Sequence, residues 1–301
     1  MTLMNLFDHC TLCPRECGVN RNKGQRGYCR TGAELLVARA ALHMWEEPCL
    51  SGKRGSGTVF FAGCAMGCVF CQNHDIARGE RGKIISVERL AAIFMELQEK
   101  GAHNINLVTP SHYVPPIALA LRLAKAQGLN IPVVFNSSGY EKRETLALLE
   151  GLVDIYLPDF KYWDPAIARR YSQAPDYAAV AKEALAEMLR QTGTPQYDEE
   201  GMLLRGTIVR HLSLPGSLGD SKDILEYLKD TYGGKITISI MNQYTPMPAM
   251  ANFPEINRKV TPEEYEELVG YAQLLGLKNA FVQEEGTQSD SFIPPFDLEG
   301  V

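Results

Sequence analysis

From Thr58 onward the chain alternates short apolar runs, rich in β-branched and aromatic residues, with longer stretches of helical periodicity. The short runs predict strands over 58–62, 104–109, 131–136, 153–157, 205–211, 235–240 and 279–283. Between them the pattern predicts helices near 86–100, 113–127, 141–150, 164–190, 219–231 and 261–275. Thr261 reads as a helix cap, with Pro262 in first position and Glu263 and Glu264 in the first turn; Asp220 reads as another. Repeated βα units of this kind build a parallel sheet with right-handed crossovers. Six or seven units are too few to close an eight-stranded barrel, so the expected fold is α/β, an open partial (β/α)6 barrel. Ligand sites in such sheets gather at the C-terminal ends of the strands, which directs attention to the residues just beyond each run.

The first fifty residues do not follow this rhythm. Cys10, Cys13, Cys17 and Cys29 fall in a C-x2-C-x3-C-x11-C pattern among Pro14, Gly18, Gly24 and Gly27, a segment too poor in apolar residues to hold itself together without a staple. Four thiols suit a structural zinc or an auxiliary iron-sulfur cluster, and the spacing does not choose between them. The expected organisation is a cysteine-rich metal-binding segment at 1–50, the barrel at 51–283 and an irregular tail at 284–301 with two consecutive prolines.

Composition narrows the class. The chain has 301 residues, is 45% hydrophobic and carries a net charge of −6 with no basic block, so electrostatics suggest no nucleic-acid partner. No basic stretch followed by an apolar one opens the sequence, and no run approaches the roughly 20 apolar residues that span a bilayer. The expectation is a cytoplasmic protein with no membrane partner. Eight cysteines there read as metal ligands or reactive thiols rather than disulfides. Ser-His-Asp, Walker A and HExxH patterns are absent, and SGKRGSG before the first predicted strand lacks phosphate-loop spacing and reads as a turn.

The chemistry concentrates in GCAMGCVFCQN. Cys64, Cys68 and Cys71, spaced C-x3-C-x2-C, follow the strand TVFF and the turn at Gly63. Three thiolates on one loop can hold three irons of a [4Fe-4S] cluster and leave the fourth open, whereas electron-transfer clusters take four cysteines. The competing reading is a zinc site completed by His74. With Phe70 before the third cysteine, the glycine-rich GSGTVFFAGC before the loop and Gln72-Asn73 after it, the segment resembles the radical S-adenosylmethionine (SAM) superfamily, and within it the glycyl-radical-enzyme activases such as pyruvate formate-lyase activating enzyme. CTLCPREC and GYC resemble a less characterised branch related to those activators, whereas the ferredoxin insert of many activases is missing.

The resemblance implies an open iron that chelates SAM and a reduced cluster that cleaves it to a 5′-deoxyadenosyl radical. It implies a reduced flavodoxin or ferredoxin-type electron donor, and a protein or small-molecule substrate whose identity stays open. Cys64, Cys68 and Cys71 would be catalytic, with Phe70 over the adenine. The Gly-Gly-Glu segment that binds the SAM amino group in many members is missing, so Thr109 or Ser111 would supply oxygen there. Asn136 and Ser137 resemble a polar rim segment of the activases, and Asp159 and Lys161 resemble their D-x-K motif. Arg210 and His211 alternate across a strand, so one faces inward; Arg210 is expected on the SAM carboxylate because a guanidinium forks onto such a group. Asn242, Gln243 and Tyr244 are candidate substrate contacts, and Cys49 reads as a packing residue. Three functions follow: activation of a partner protein by hydrogen abstraction, radical modification of a small molecule or peptide, or a non-catalytic zinc or iron-sulfur module for binding or electron transfer.

Overall fold

A computed structural model describes residues 3–283 and 293–301. Ten strands form one open sheet: β1 (Leu35–His43), β2 (Ser56–Phe61), β3 (Lys83–Ile85), β4 (Ile105–Val108), β5 (Val133–Ser137), β6 (Ile155–Pro158), β7 (Gln196–Tyr197), β8 (Leu203–Leu212), β9 (Thr237–Met241) and β10 (Ala280–Val282). The order is β10-β9-β8-β6-β5-β4-β2-β1-β3, with β7 paired to β8 off this path. From β2 to β10 the path is parallel throughout, and these seven strands are the seven the sequence predicts. β1 and β3 were not anticipated; they extend the sheet antiparallel beyond β2.

The helices are α1 (Pro48–Ser51), α2 (His74–Ala77), α3 (Val87–Glu99), α4 (Val114–Ala126), α5 (Arg143–Ala147), α6 (Pro165–Ser172), α7 (Tyr177–Thr192), α8 (Leu218–Tyr232) and α9 (Pro262–Leu274). Thr261 caps α9 in a reciprocal box with Glu264, as expected. Two expectations need correction. The single helix over 164–190 is two, because Gln173 turns into the left-handed region at φ +51° and Pro175 follows. Asp220 does not cap its own helix; its carboxylate accepts the backbone N–H groups of Trp163 and Asp164, at the start of α6.

The outward faces of β4 and β5 pack Ile105, Leu107, Val133 and Phe135 against α3 and α4. Inside the barrel, Cys49 and Leu50 of α1 meet Val134, Ile155, Leu157, Leu203 and Ile208 and form an apolar floor. Above the floor lies the cavity described below; beneath it lies a second, of about 1300 Å³, lined by Lys53, Arg54, His103, Tyr197 and Lys278. Of the tail, residues 284–292 fall outside the described residues. Leu298 N and Glu299 O bond to β1 at Ala38 O and Ala40 N, and Phe296 packs on Phe60. No helix among the described residues is long and apolar enough to cross a membrane.

Candidate functional site

Backbone geometry places the cysteine loop. β2 is buried along its whole length, and Gly63, at φ +88°, turns the chain out of it. The neutral His112 donates its Nε2 proton to Ala62 O at 2.9 Å, fixing the residue at which the turn begins. The loop then runs over a cavity of about 540 Å³ lined by Cys64, Cys68, Phe70 and Cys71 together with Thr109, Ser111, Asn136, Ser137, Asp159, Lys161 and Arg210. Every expected core-site residue therefore meets in one place, at the C-terminal ends of the parallel strands. His74, the fourth ligand of the zinc alternative, is exposed and lies 3.2 Å from Asp75, outside the residues that line the cavity.

The thiols themselves fit a cluster. Burial, then the neighbouring Cys64 and Cys68, push the Cys71 thiol up to about 12, and Lys161 offsets only part of that rise, so three buried thiols crowd together here. Among the described residues no three His, Cys, Asp or Glu side chains are arranged to hold a single metal ion. That is compatible with a cubane, in which each thiolate binds a different iron. Ser172 Oγ donates to Cys68 Sγ at 3.0 Å, and Met66 N to Cys64 Sγ at 3.4 Å. Phe70 is buried among Tyr162, Tyr171 and Tyr244, with edge-on rings at 5.9–6.4 Å. Tyr244 is occupied in this packing and donates to Ile256 O, while Gln243 lines the cavity and its carbonyl accepts from Gln72.

A buried ion network faces the loop. An isolated bridge between Asp159 and Arg210 continues the β6–β8 ladder and aligns the two side chains. Arg210 Nε donates to Asp159 at 2.9 Å and Nη2 to Asn136 at 2.6 Å, while Nη1 lies 3.5 Å from Glu46. Lys161 bonds the other Asp159 oxygen at 2.6 Å. Burial alone would raise the Asp159 carboxyl, but Arg210 and Lys161 hold it below the ordinary range. Arg210 thus faces the cavity with its guanidinium already engaged by this chain. His211 points the other way, with Nδ1 on Phe160 O and Nε2 on Ser221, both at 2.8 Å.

Three acidic residues escaped the sequence reading. Glu46 and Glu47 line the cavity from the β1–α1 connection. Glu141 lies buried beneath the rim, accepting Ser111 Oγ at 2.7 Å and Ser137 Oγ at 3.0 Å. Ser111 and Ser137 are thereby tied to one carboxyl, and Thr109 is held in the left-handed region at φ +58°, unusual for a β-branched residue. Burial pushes Glu141 up to about 7 and pushes the imidazoles of His112 and His211 down to about 3 and about 4. Between about pH 6.5 and 4.5 the unfolded chain carries two histidine protons that the native protein lacks, and the native protein carries one on Glu141. Over these three groups the unfolded state holds one more proton, a contribution of about 1.4 kcal/mol per pH unit to the loss of stability on acidification. Glu141 opposes the histidines in this sum, so urea midpoints of Glu141→Gln across the window should fall more steeply towards acid than those of the wild type; equal slopes would contradict it.

The N-terminal segment docks on the loop. Arg15 donates to the carbonyls of Ala65 and Met66 and to Ser172 O, and its guanidinium lies 4.0 Å from the Tyr28 ring centroid. The buried Arg21 bonds Gly32 O and Thr31. Cys10, Cys13, Cys17 and Cys29 lie close together: burial, then Cys29, Cys10 and Cys17 among the neighbours, push Cys13 up to about 12. Cys49 is buried in the floor, as a packing residue should be.

The Radical SAM superfamily matches residues 58–198 of this chain. Uncharacterized protein MJ0674 of Methanocaldococcus jannaschii is 31% identical over 281 residues, spanning 91% of this chain and 77% of that protein. Two solved structures of Streptococcus suis SuiB are also similar. The one bound to S-adenosylmethionine has a TM-score of 0.50 at 15% identity, covering 74% of this chain and 48% of SuiB. The one bound to precursor peptide SuiA has a TM-score of 0.50 at 12% identity, covering 74% and 47%. The chain spans about half the length of SuiB, and at this identity the likeness is one of fold.

Proposed function

This chain belongs to the radical SAM superfamily, and from that premise we propose that Cys64, Cys68 and Cys71 hold a [4Fe-4S] cluster at which SAM is cleaved to abstract hydrogen from a substrate. The observation that supports this most is convergence: three thiols, Phe70 and polar groups from five parallel strands line one cavity. Bound there, the cluster and SAM supply a 5′-deoxyadenosyl radical on receipt of an electron from a reduced flavodoxin or ferredoxin-type donor.

The chain's own residues bind, orient and exclude water. The Ser172 hydroxyl and Met66 N–H disperse charge on two cluster thiolates, a lever on reduction potential. Phe70, gripped by three tyrosines, offers the adenine a rigid apolar wall. Lys161, whose charge acts on Cys64 and Cys71, lines the cavity and suits the SAM carboxylate. Arg210 reaches that carboxylate through Asp159 and Lys161, as a positioning residue for the ion network. Thr109, Ser111, Asn136 and Ser137 present polar groups at the rim for the methionine and ribose. The apolar floor keeps water from below. Cys10, Cys13, Cys17 and Cys29, which lie close enough to act on one another, are our candidates for a second site, zinc or an auxiliary cluster, although their thiols are not arranged around a single ion in this structure. Activation of a partner protein and modification of a peptide or small molecule are both served by this arrangement.

The test is anaerobic reconstitution with iron and sulfide, reduction with dithionite in the presence of SAM, and chromatography of the products. Equal amounts of 5′-deoxyadenosine and methionine are expected, with four irons assignable to the Cys64–Cys71 loop. Intact SAM in an iron-loaded, reduced sample would overturn the reading.

A further inference from the structure

The connection from β1 to α1, residues 43–48, runs into the barrel: Cys49 and Leu50 just after it belong to the floor, and His43, Trp45, Glu46, Glu47 and Pro48 line the cavity above. Two consecutive glutamates are thereby buried opposite the cysteine loop. Burial pushes both carboxyls up, and the Arg210 guanidinium draws both back down. That guanidinium is already divided among Asp159, Asn136 and Glu46, and Lys161 is bonded to Asp159. Glu47 is left over. The residue is 9% exposed, yet its Oε2 is buried without a hydrogen-bond partner. A buried carboxylate oxygen carries its full desolvation penalty until a donor reaches it.

Charge accounting leads the same way. Among the described residues the cavity is lined by three carboxylates, Glu46, Glu47 and Asp159, and two cations, Lys161 and Arg210. An oxidised [4Fe-4S] cluster with three thiolates carries one net negative charge and SAM one net positive, so together they leave the balance unchanged. One negative charge remains for another molecule to meet. Beside the glutamates, Trp45 lines the same cavity while 63% exposed, and an indole ring attracts cations.

We infer that Glu47 and Glu46, with Trp45, form a subsite for a positively charged nitrogen, an alkylammonium or guanidinium group, on the molecule from which hydrogen is abstracted. The inference rests on the proposed reading of the cavity as the SAM site and adds the substrate's chemical class. Glu47 accepts the cation's N–H groups on its free oxygen, Glu46 supplies the second negative charge, and Trp45 covers the alkyl stem.

The test is calorimetric titration of the reconstituted, SAM-loaded protein, without turnover. The probes are Nα-acetyl-lysine methylamide, butylammonium, and the neutral Nα,Nε-diacetyl-lysine methylamide. The cationic probes are expected to bind at least about tenfold more tightly than the neutral one. Tighter binding of the lysine derivative would mark a peptide side chain as the source of the cation, and tighter binding of butylammonium a free amine. Glu47→Gln should weaken the preferred cation by about tenfold or more, with Glu47→Asp intermediate and SAM affinity changed less than about threefold. Equal binding of neutral and cationic probes to the wild-type protein, or no binding of either, would overturn the inference whatever the variants do. So would a Glu47→Gln loss of SAM affinity as large as the loss for the cation, which would assign the carboxylate to the SAM amino group. A wild-type protein that fails to bind SAM strikes the cavity's reading itself, which the SAM titration reports separately.

Discussion

Cys68→Ala should reduce 5′-deoxyadenosine formation to background, a fall larger than the roughly 10–100-fold that outer-shell changes at metal sites produce. The sulfur is one of three ligands for a cluster that needs each of them, and no neighbouring side chain can replace it: Ser172 and Tyr162, linked at 2.7 Å, are the polar groups behind it. The fold should survive. Cys68 is only partly buried, and its loss releases one hydrogen bond from Ser172, worth about 1 kcal/mol. Iron content, the visible absorption of the reduced and oxidised protein, and product chromatography should therefore change together while far-ultraviolet circular dichroism does not. Wild-type turnover in an iron-loaded Cys68→Ala protein would refute the assignment of the loop.

Gly63→Ala should be strongly destabilising for a change of a single methyl group. A Cβ there would lie 2.4 Å from Thr31 Cγ2 and 2.7 Å from Cys29 O, on a backbone at φ +88°. The left-handed conformation costs an alanine about 1–2 kcal/mol, and overpacking adds about 1–3. The methyl drives a wedge between the cysteine loop and the N-terminal segment, so both should loosen. Thr31→Ser removes the nearer clash and keeps the hydroxyl that Arg21 uses. The double variant should recover part of the loss, but not all, because the Cys29 carbonyl and the dihedral remain. Urea denaturation of the four proteins checks this; additivity of the two changes would exclude the contact.

The parallel strands could be read from the sequence because both of their faces are covered, which demands unbroken β-branched and aromatic runs bounded by turn residues. LLVARAALH, the basis of β1, holds three alanines and an arginine among its three leucines and one valine, and pairing with β2 and β3 makes it a strand. The break between α6 and α7 rests on Gln173 in the left-handed region, which no propensity announces, and on Pro175, a breaker that the sequence does show. At the site, the cysteines declare themselves by spacing, and Asp159, Lys161 and Arg210 by position at strand ends. Glu46, Glu47 and Glu141 have neither mark. Each is a carboxylate in a connection, where solvent exposure is the ordinary expectation, and each is buried by contacts to residues far along the chain. Asp220 shows the same limit: a residue suited to capping was used, but on another helix's start.

The α1 plug gives the barrel a one-way geometry. Pro48 and Phe281 border both the upper and the lower cavity, so the wall between them is about one side chain thick, yet Cys49, Leu50 and their aliphatic neighbours close it. Among the described residues the axis is thereby blocked from below. On the function proposed above, and with the axis closed from below among the described residues, the order in which products leave, rather than the bond-breaking step, is a natural place for turnover to be limited.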